Sequence, residues 1–141
     1  MGTTITGGCA CGAIRYEIAA EPVIAVHCQC RACQRDSGTG HASLIAFPGD
    51  AVTITGTPKF YDSRADSGNM VSRGFCETCG SPVVSKNDGM PNMLAFRAAS
   101  LDDPSIFNPA FVVFAEKGHV WDRLDASLHR FPRMPEQVPE F

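Results

Sequence analysis

Three tight cysteine groups leave few folds open to this chain: GGCACG (7–12), HCQCRAC (27–33) and FCETCGSP (75–82). Between them they hold all seven cysteines, Cys9, Cys11, Cys28, Cys30, Cys33, Cys76 and Cys79. A disulfide framework needs an oxidising compartment, and an odd count would leave one thiol over. The start of the chain, MGTTITGGCAC, shows no basic stretch followed by an apolar one, so no secretory signal is expected. Clustered thiols in such a chain read as metal ligands, and the expected location is the cytoplasm.

The spacing divides the seven into two sets. In Cys76-Glu-Thr-Cys79-Gly80 the two sulfurs can converge on one ion, and the following glycine permits the positive φ of such a turn. Structural zinc takes four ligands, so this pair must recruit another. Cys9 and Cys11 fit, because residues i and i+2 of an extended segment point to one side. Gly7, Gly8 and Gly12 leave room there for a second backbone to approach. Borrowing from the middle group instead would strand a thiolate and leave Cys9 and Cys11 without a role. Cys28, Cys30 and Cys33 then form a tripod, and three protein ligands with an open fourth position distinguish catalytic from structural zinc. The expected cofactor is therefore zinc, two ions per chain. Iron–sulfur clusters usually take four thiolates at C-x2-C-x2-C spacing, which neither set has.

Around the tripod the reading stays open. His27, on an extended segment, points away from Cys28 and is not counted as a ligand; His41, His119 and His129 sit in no ligand spacing. Arg31 and Arg35 would lower thiolate pKa values or grip a carboxylate, or else are solvated on a short helix.

The rest of the chain reads as one mostly β domain, 1–141, of short strands and turns. Ile14, Tyr16 and Ile18 alternate with Arg15 and Glu17, the period of a half-buried strand. Further strands are expected at 42–47, 51–55, 59–63, 70–75, 82–86, 92–97 and 110–115, with turns at 48–50 and 56–58. Residues 31–37 suit one short helix, and Asp103-Pro104 suits the cap and first position of another. A net charge of −3 and a pI near 5.7 provide no basic surface for nucleic acid. No apolar run is long enough to span a bilayer, so no membrane partner is expected. The oligomeric state is left open, a homo-oligomer included.

The ordered set GGCACGAIRY, HCQCRACQRDSG, SRGFCETCGSPV and FRAASLDD resembles the glutathione-dependent formaldehyde-activating enzyme family, which includes centromere protein V-like members. FVVFAEKGHVWD and HRFPRMP resemble the C-terminal end of that family. The resemblance implies the Mss4-like fold, a zinc-stabilised all-β arrangement of small antiparallel sheets. It implies structural zinc on Cys9, Cys11, Cys76 and Cys79 and catalytic zinc on Cys28, Cys30 and Cys33. It also implies a carbon–sulfur lyase that condenses formaldehyde with glutathione to S-hydroxymethylglutathione, the partner being a small-molecule thiol such as glutathione or its aldehyde adduct. Ala99 departs from the glycine common at that place in the family.

Arg31, Arg35 and Arg97 are the candidates for ligand carboxylates. Tyr16, Phe75 and Trp121 are aromatic candidates for the site wall, each more simply core. Asp36 and Ser37 suit a proton relay or, equally, a capped turn. A non-catalytic zinc module of the same fold and a redox or metal-storage protein are the rival functions.

Overall fold

Alternation along Arg15–Ile18 buries Tyr16 and Ile18 and exposes Arg15 and Glu17, which is what a strand with one wet face requires. A computed structural model of the chain describes residues 4–135. In chain order its strands are β1 (Ile5–Gly8), β2 (Arg15–Ile18), β3 (Ile24–Cys28), β4 (Ala42–Pro48), β5 (Val52–Thr55) and β6 (Lys59–Arg64). They continue with β7 (Met70–Phe75), β8 (Pro82–Asn87), β9 (Met93–Arg97), β10 (Phe111–Val113) and β11 (His129–Arg130). The α-helix α1 (Arg31–Ser37) follows β3.

Strands β1-β2-β5 form an antiparallel three-stranded sheet, and β11-β10-β3-β4-β9-β8-β7-β6 form an eight-stranded one. The mostly β expectation holds. The larger sheet differs from small antiparallel units in its length and in β10, which runs parallel to both β3 and β11.

Register sorts the large sheet into two faces, because cross-strand partners and residues two apart share a side. Ala25 pairs Ile45, Ile45 pairs Phe96, and Phe96 pairs Val84. This face meets Ile14, Tyr16 and Ile18 of the small sheet in the main core. The Tyr16 and Phe96 rings stand 4.2 Å apart, with Phe47 6.1 Å beyond. Burying each such ring contributes about 1.5–3 kcal/mol. On the opposite face, Val26, Leu44, Ala42, Phe111 and Val113 gather around Cys28 and Cys33 in a second core. Strand β3 carries apolar residues on both sides, so its sequence shows no alternation and reads poorly as a strand.

The short elements follow their capping signals. Helix α1 is closed by Gly38 in the left-handed region, φ 78°, a conformation glycine adopts without strain. The 3-10 turn Pro104–Ile106 starts at Asp103, whose carboxylate accepts from the Ser105 N–H. Among the described residues no helix is long and apolar enough to cross a membrane.

Candidate metal centres

The first centre lies where the two sheets meet. Cys9 and Cys11 follow β1, and Cys76 and Cys79 lie in the turn between β7 and β8. All four sulfurs fall within 4.8 Å of one another. Cys9 and Cys76 are buried, Cys11 and Cys79 exposed. Four sulfurs about 2.3 Å from a tetrahedral ion stand about 3.8 Å apart. The Cys9–Cys11 and Cys11–Cys76 sulfurs are both 3.7 Å apart, so the donor set and its spacing fit zinc.

Backbone geometry holds this cluster open. The Cys9–Cys11 pair sits in a turn rather than an extended segment, closed by the Gly12 N–H on the Cys9 carbonyl at 3.3 Å. Convergence of the pair therefore comes from this turn, not from strand pleat. The Gly80 N–H closes the second turn on the Cys76 carbonyl at 2.7 Å. Gly12 and Gly80 take φ of 83° and 80°, which a side chain would oppose. The Ile14 N–H donates to the Cys9 sulfur at 3.2 Å. A Ser81 hydroxyl 3.2 Å from Cys79 heads the contacts that lower that thiol to about 5.

The second centre stands on the outer face of the large sheet. Cys28 ends β3, Cys30 caps α1, and Cys33 lies in its first turn, their sulfurs within 4.8 Å of one another. Among the described residues no further His, Cys, Asp or Glu joins the three. Cys28 and Cys33 are buried and Cys30 is half-buried. Hydrogen bonds from the Cys28 and Cys33 thiols favour ionisation at Cys30, and the Arg73 charge adds to this. The Cys28 thiol is pushed well up, first by Cys30 and Cys33 and then by burial. A close thiol trio concentrates its first negative charge on one sulfur. Three thiolates are soft donors suited to zinc.

Two glutamines, Gln29 between Cys28 and Cys30 and Gln34 just after Cys33, hold the tripod in place, and sequence reasoning passed over both. Gln29 is 1 % and Gln34 4 % exposed. The Gln34 side-chain amide donates to the Gln29 carbonyl at 2.8 Å and the Lys117 carbonyl at 3.0 Å. Its oxygen pairs with His119 Nε2 at 2.9 Å and takes a hydrogen bond from Arg31. The Gln29 side chain donates to Asp122 at 3.1 Å. Asp122 in turn pairs with His41 Nδ1 at 2.9 Å. The segment after β10 thus straps the cysteine loop to the sheet. The signal available in the sequence was a glutamine directly adjoining the metal-ligand candidates at two places.

The other candidates separate clearly. His27 faces away from the tripod, with Nδ1 3.0 Å from Ser43 Oγ and its ring packed on His41 and Phe107. Burial first, then the neighbouring His41, lowers it to about 4. Arg97 is held by Asp36 at 2.7 Å, and its buried Nη1 has no partner among the described residues. Ser37 donates to the Gln34 carbonyl at 3.3 Å and accepts from the Thr39 N–H, so it caps the helix end. Arg35 is exposed. Tyr16 is core, its hydroxyl 2.7 Å from Ser100 and pushed up to about 12 by burial. Phe75 is half-buried. Trp121 is not core: it is 65 % exposed and stacks on His119, because the strap carries it outward. Ala99 lies in the 3-10 turn Ala98–Ser100.

A crystal structure of a Rhodobacter sphaeroides protein resembles this fold with a TM-score of 0.54 at 20 % identity, over 69 % of this chain and 87 % of that one. No curated protein matches the chain. The family model described as glutathione-dependent formaldehyde-activating enzyme matches residues 4–117. Across both cysteine clusters and the sheets that carry them, the chain belongs to the glutathione-dependent formaldehyde-activating enzyme family.

Proposed function

We propose that the chain holds two zinc ions, a structural one on Cys9, Cys11, Cys76 and Cys79 and a reactive one on Cys28, Cys30 and Cys33. We further propose that it works as a carbon–sulfur lyase on a thiol–aldehyde adduct, joining glutathione and formaldehyde into S-hydroxymethylglutathione. The observation that carries this reading is the three-sulfur cluster with no fourth ligand among the described residues, beside a four-sulfur cluster in the same chain.

Zinc in a three-ligand site supplies Lewis acidity, favouring a bound thiolate and polarising a carbonyl. In the reaction the substrate sulfur bonds to the aldehyde carbon, the carbonyl π bond breaks, and the thiol proton ends on the oxygen. The balance is neutral in protons, so no side chain has to keep or lose one. That suits this site, where Asp36 is committed to Arg97 and Ser37 to the Gln34 carbonyl. Cys28 and Cys33 anchor the tripod from the apolar core, and Cys30 forms its more open side. All seven thiols are free, which suits the reducing cytoplasm.

The test compares Cys76→Ser with Cys30→Ser for zinc per chain, thermal stability and the exchange of glutathione with its formaldehyde adduct followed by NMR. Cys76→Ser is expected to lower stability, because structural zinc contributes folding free energy. Cys30→Ser is expected to stay folded and lose the accelerated exchange. Equal loss of stability in both, or unchanged exchange in Cys30→Ser, refutes the two-centre reading.

A further inference from the structure

The Gln34 side-chain oxygen is a meeting point for two side chains that hold no place in the metal centres. Arg31 Nη1 donates to it from the residue after Cys30, and His119 Nε2 bonds to it from the strap at 2.9 Å. Two groups hydrogen-bonded to one oxygen stand within a few ångströms of each other. Beyond the imidazole lies the Trp121 ring, parallel to it, with 8° between the planes and 4.9 Å between the centroids. Arg31, His119 and Trp121 therefore form one continuous strip. It begins beside Cys30, the half-buried sulfur of the tripod, whereas Cys28 and Cys33 are buried in the second core. The strip thus starts on the side from which the three sulfurs can be reached.

Both ends of the strip are left open. Trp121 is 65 % exposed, although an indole is among the largest apolar side chains and is usually well buried. It is also fixed in place, because the His119 ring it stacks on is tied to the buried Gln34. A ring held this way loses little freedom when a ligand settles on it. Arg31 is exposed, and among the described residues no carboxylate lies within ion-pair distance of it. Arg97, by contrast, is taken by Asp36. The flat fork of a guanidinium matches a carboxylate, and an indole face matches a planar peptide unit.

We propose that this strip holds the body of the thiol ligand: Trp121 stacks on a peptide unit and Arg31 takes a carboxylate, while the sulfur goes to the three-cysteine centre. His119 is a positioning residue that sets the indole. This rests on the tripod being the thiol-binding centre, and it adds a ligand class: a peptide thiol with a free acid group. The strip then selects among thiols that the cysteine tripod alone would accept alike.

The experiment measures binding of three thiols to the zinc-loaded full chain by calorimetry, with zinc per chain counted in each variant. Glutathione offers peptide units and carboxylates, its diethyl ester the peptide units without free carboxylates, and 2-mercaptoethanol neither. Trp121 is the single tryptophan of the chain, so its fluorescence reports on the strip directly. In wild type, glutathione and the ester are expected to shift the emission, and 2-mercaptoethanol to leave it unchanged. Trp121→Ala is expected to weaken glutathione and the ester alike by about 2- to 10-fold, the scale of a stacked ring. Arg31→Met is expected to weaken glutathione by about 2- to 5-fold, the scale of an exposed ion pair, and to leave the ester unchanged. Both variants are expected to bind 2-mercaptoethanol as wild type does and to keep their zinc. If either variant weakens 2-mercaptoethanol as much as glutathione, weakens no thiol, or loses tripod zinc, the proposal is overturned. If the zinc-loaded wild type binds none of the three, the thiol-centre reading itself falls and takes this proposal with it.

Discussion

Gln34→Met is the substitution that most directly tests how the tripod is held. Methionine nearly matches glutamine in length and volume, so the cavity contribution is small, and the change isolates the polar atoms. It removes the donor serving the Gln29 and Lys117 carbonyls and the acceptor serving His119 Nε2. The Gln29 carbonyl belongs to a residue that is 1 % exposed, so leaving it bare costs about 1–3 kcal/mol. Lys117 is exposed and His119 half-buried, so water takes over part of their bonding and they add about 1 kcal/mol together. The expected loss is about 2–4 kcal/mol, large for one residue but within the stability of an ordinary domain.

Urea unfolding of the zinc-loaded protein measures this total, and timed chelation with zinc counting locates it. Gln34 adjoins Cys33 on α1 and ties that helix to the strap, so zinc on the tripod is expected to leave faster. The four-cysteine cluster makes no contact through Gln34 and is expected to keep its ion. A stability loss below about 0.5 kcal/mol, the ordinary range for an inconsequential surface change, would refute the strap as the tripod's support. Faster loss from the four-cysteine cluster would refute it as well.

Tyr16→Phe removes a buried hydroxyl that donates to Ser100, whose own hydroxyl goes on to the Arg97 carbonyl at 2.7 Å; a loss of about 1 kcal/mol in urea unfolding is expected, with both zinc ions retained. Asp102 is held down to about 2, first by the Arg15 guanidinium and then by the Thr6 hydroxyl. A carboxyl depressed in the folded state stabilises the fold above its unfolded value of about 3.9, and that contribution is lost as pH falls toward 2. Carboxyl NMR titration is expected to show the Asp102 midpoint moving up toward the unfolded value in Arg15→Gln; an unmoved midpoint would remove the Arg15 ion pair as its cause.

The 4 + 3 grouping of the cysteines was the most legible part of this sequence, because thiol count and spacing are local. β2, with one wet face, was legible from its alternation, and the turn signals and β-rich runs placed 70–75 on β7 and 42–47 nearly on β4. The strands β1, β3 and β11 were not. Two of the four β1 residues are glycine, β11 is two residues long, and β3 is covered on both faces, so none shows alternation. Pairing of β10 beside β3 is a long-range event with no local mark. The supports of the tripod were hidden for a related reason. Gln34 and His119 are 85 positions apart and Gln29 and Asp122 are 93, and a buried amide looks like a surface one until its partners arrive.

The same distances in sequence explain why one cluster suits structure and the other chemistry. Cys11 and Cys76 lie 65 positions apart, on turns that belong to different sheets. An ion there closes a long loop and joins the β1–β2 hairpin to the β7–β8 hairpin. Cys28 and Cys33 are separated by five positions, and the tripod closes almost no loop at all. The loop-closure entropy removed from the unfolded chain differs between the two by about 2 kcal/mol. A metal ion proposed for the four-cysteine cluster would therefore couple strongly to folding. The tripod's cysteines are carried by β3, the α1 cap and the bonds of Gln29 and Gln34 to the strap, all made within the chain itself. A centre whose ligands stand in place before the ion arrives can leave one coordination position to a substrate without loosening the fold.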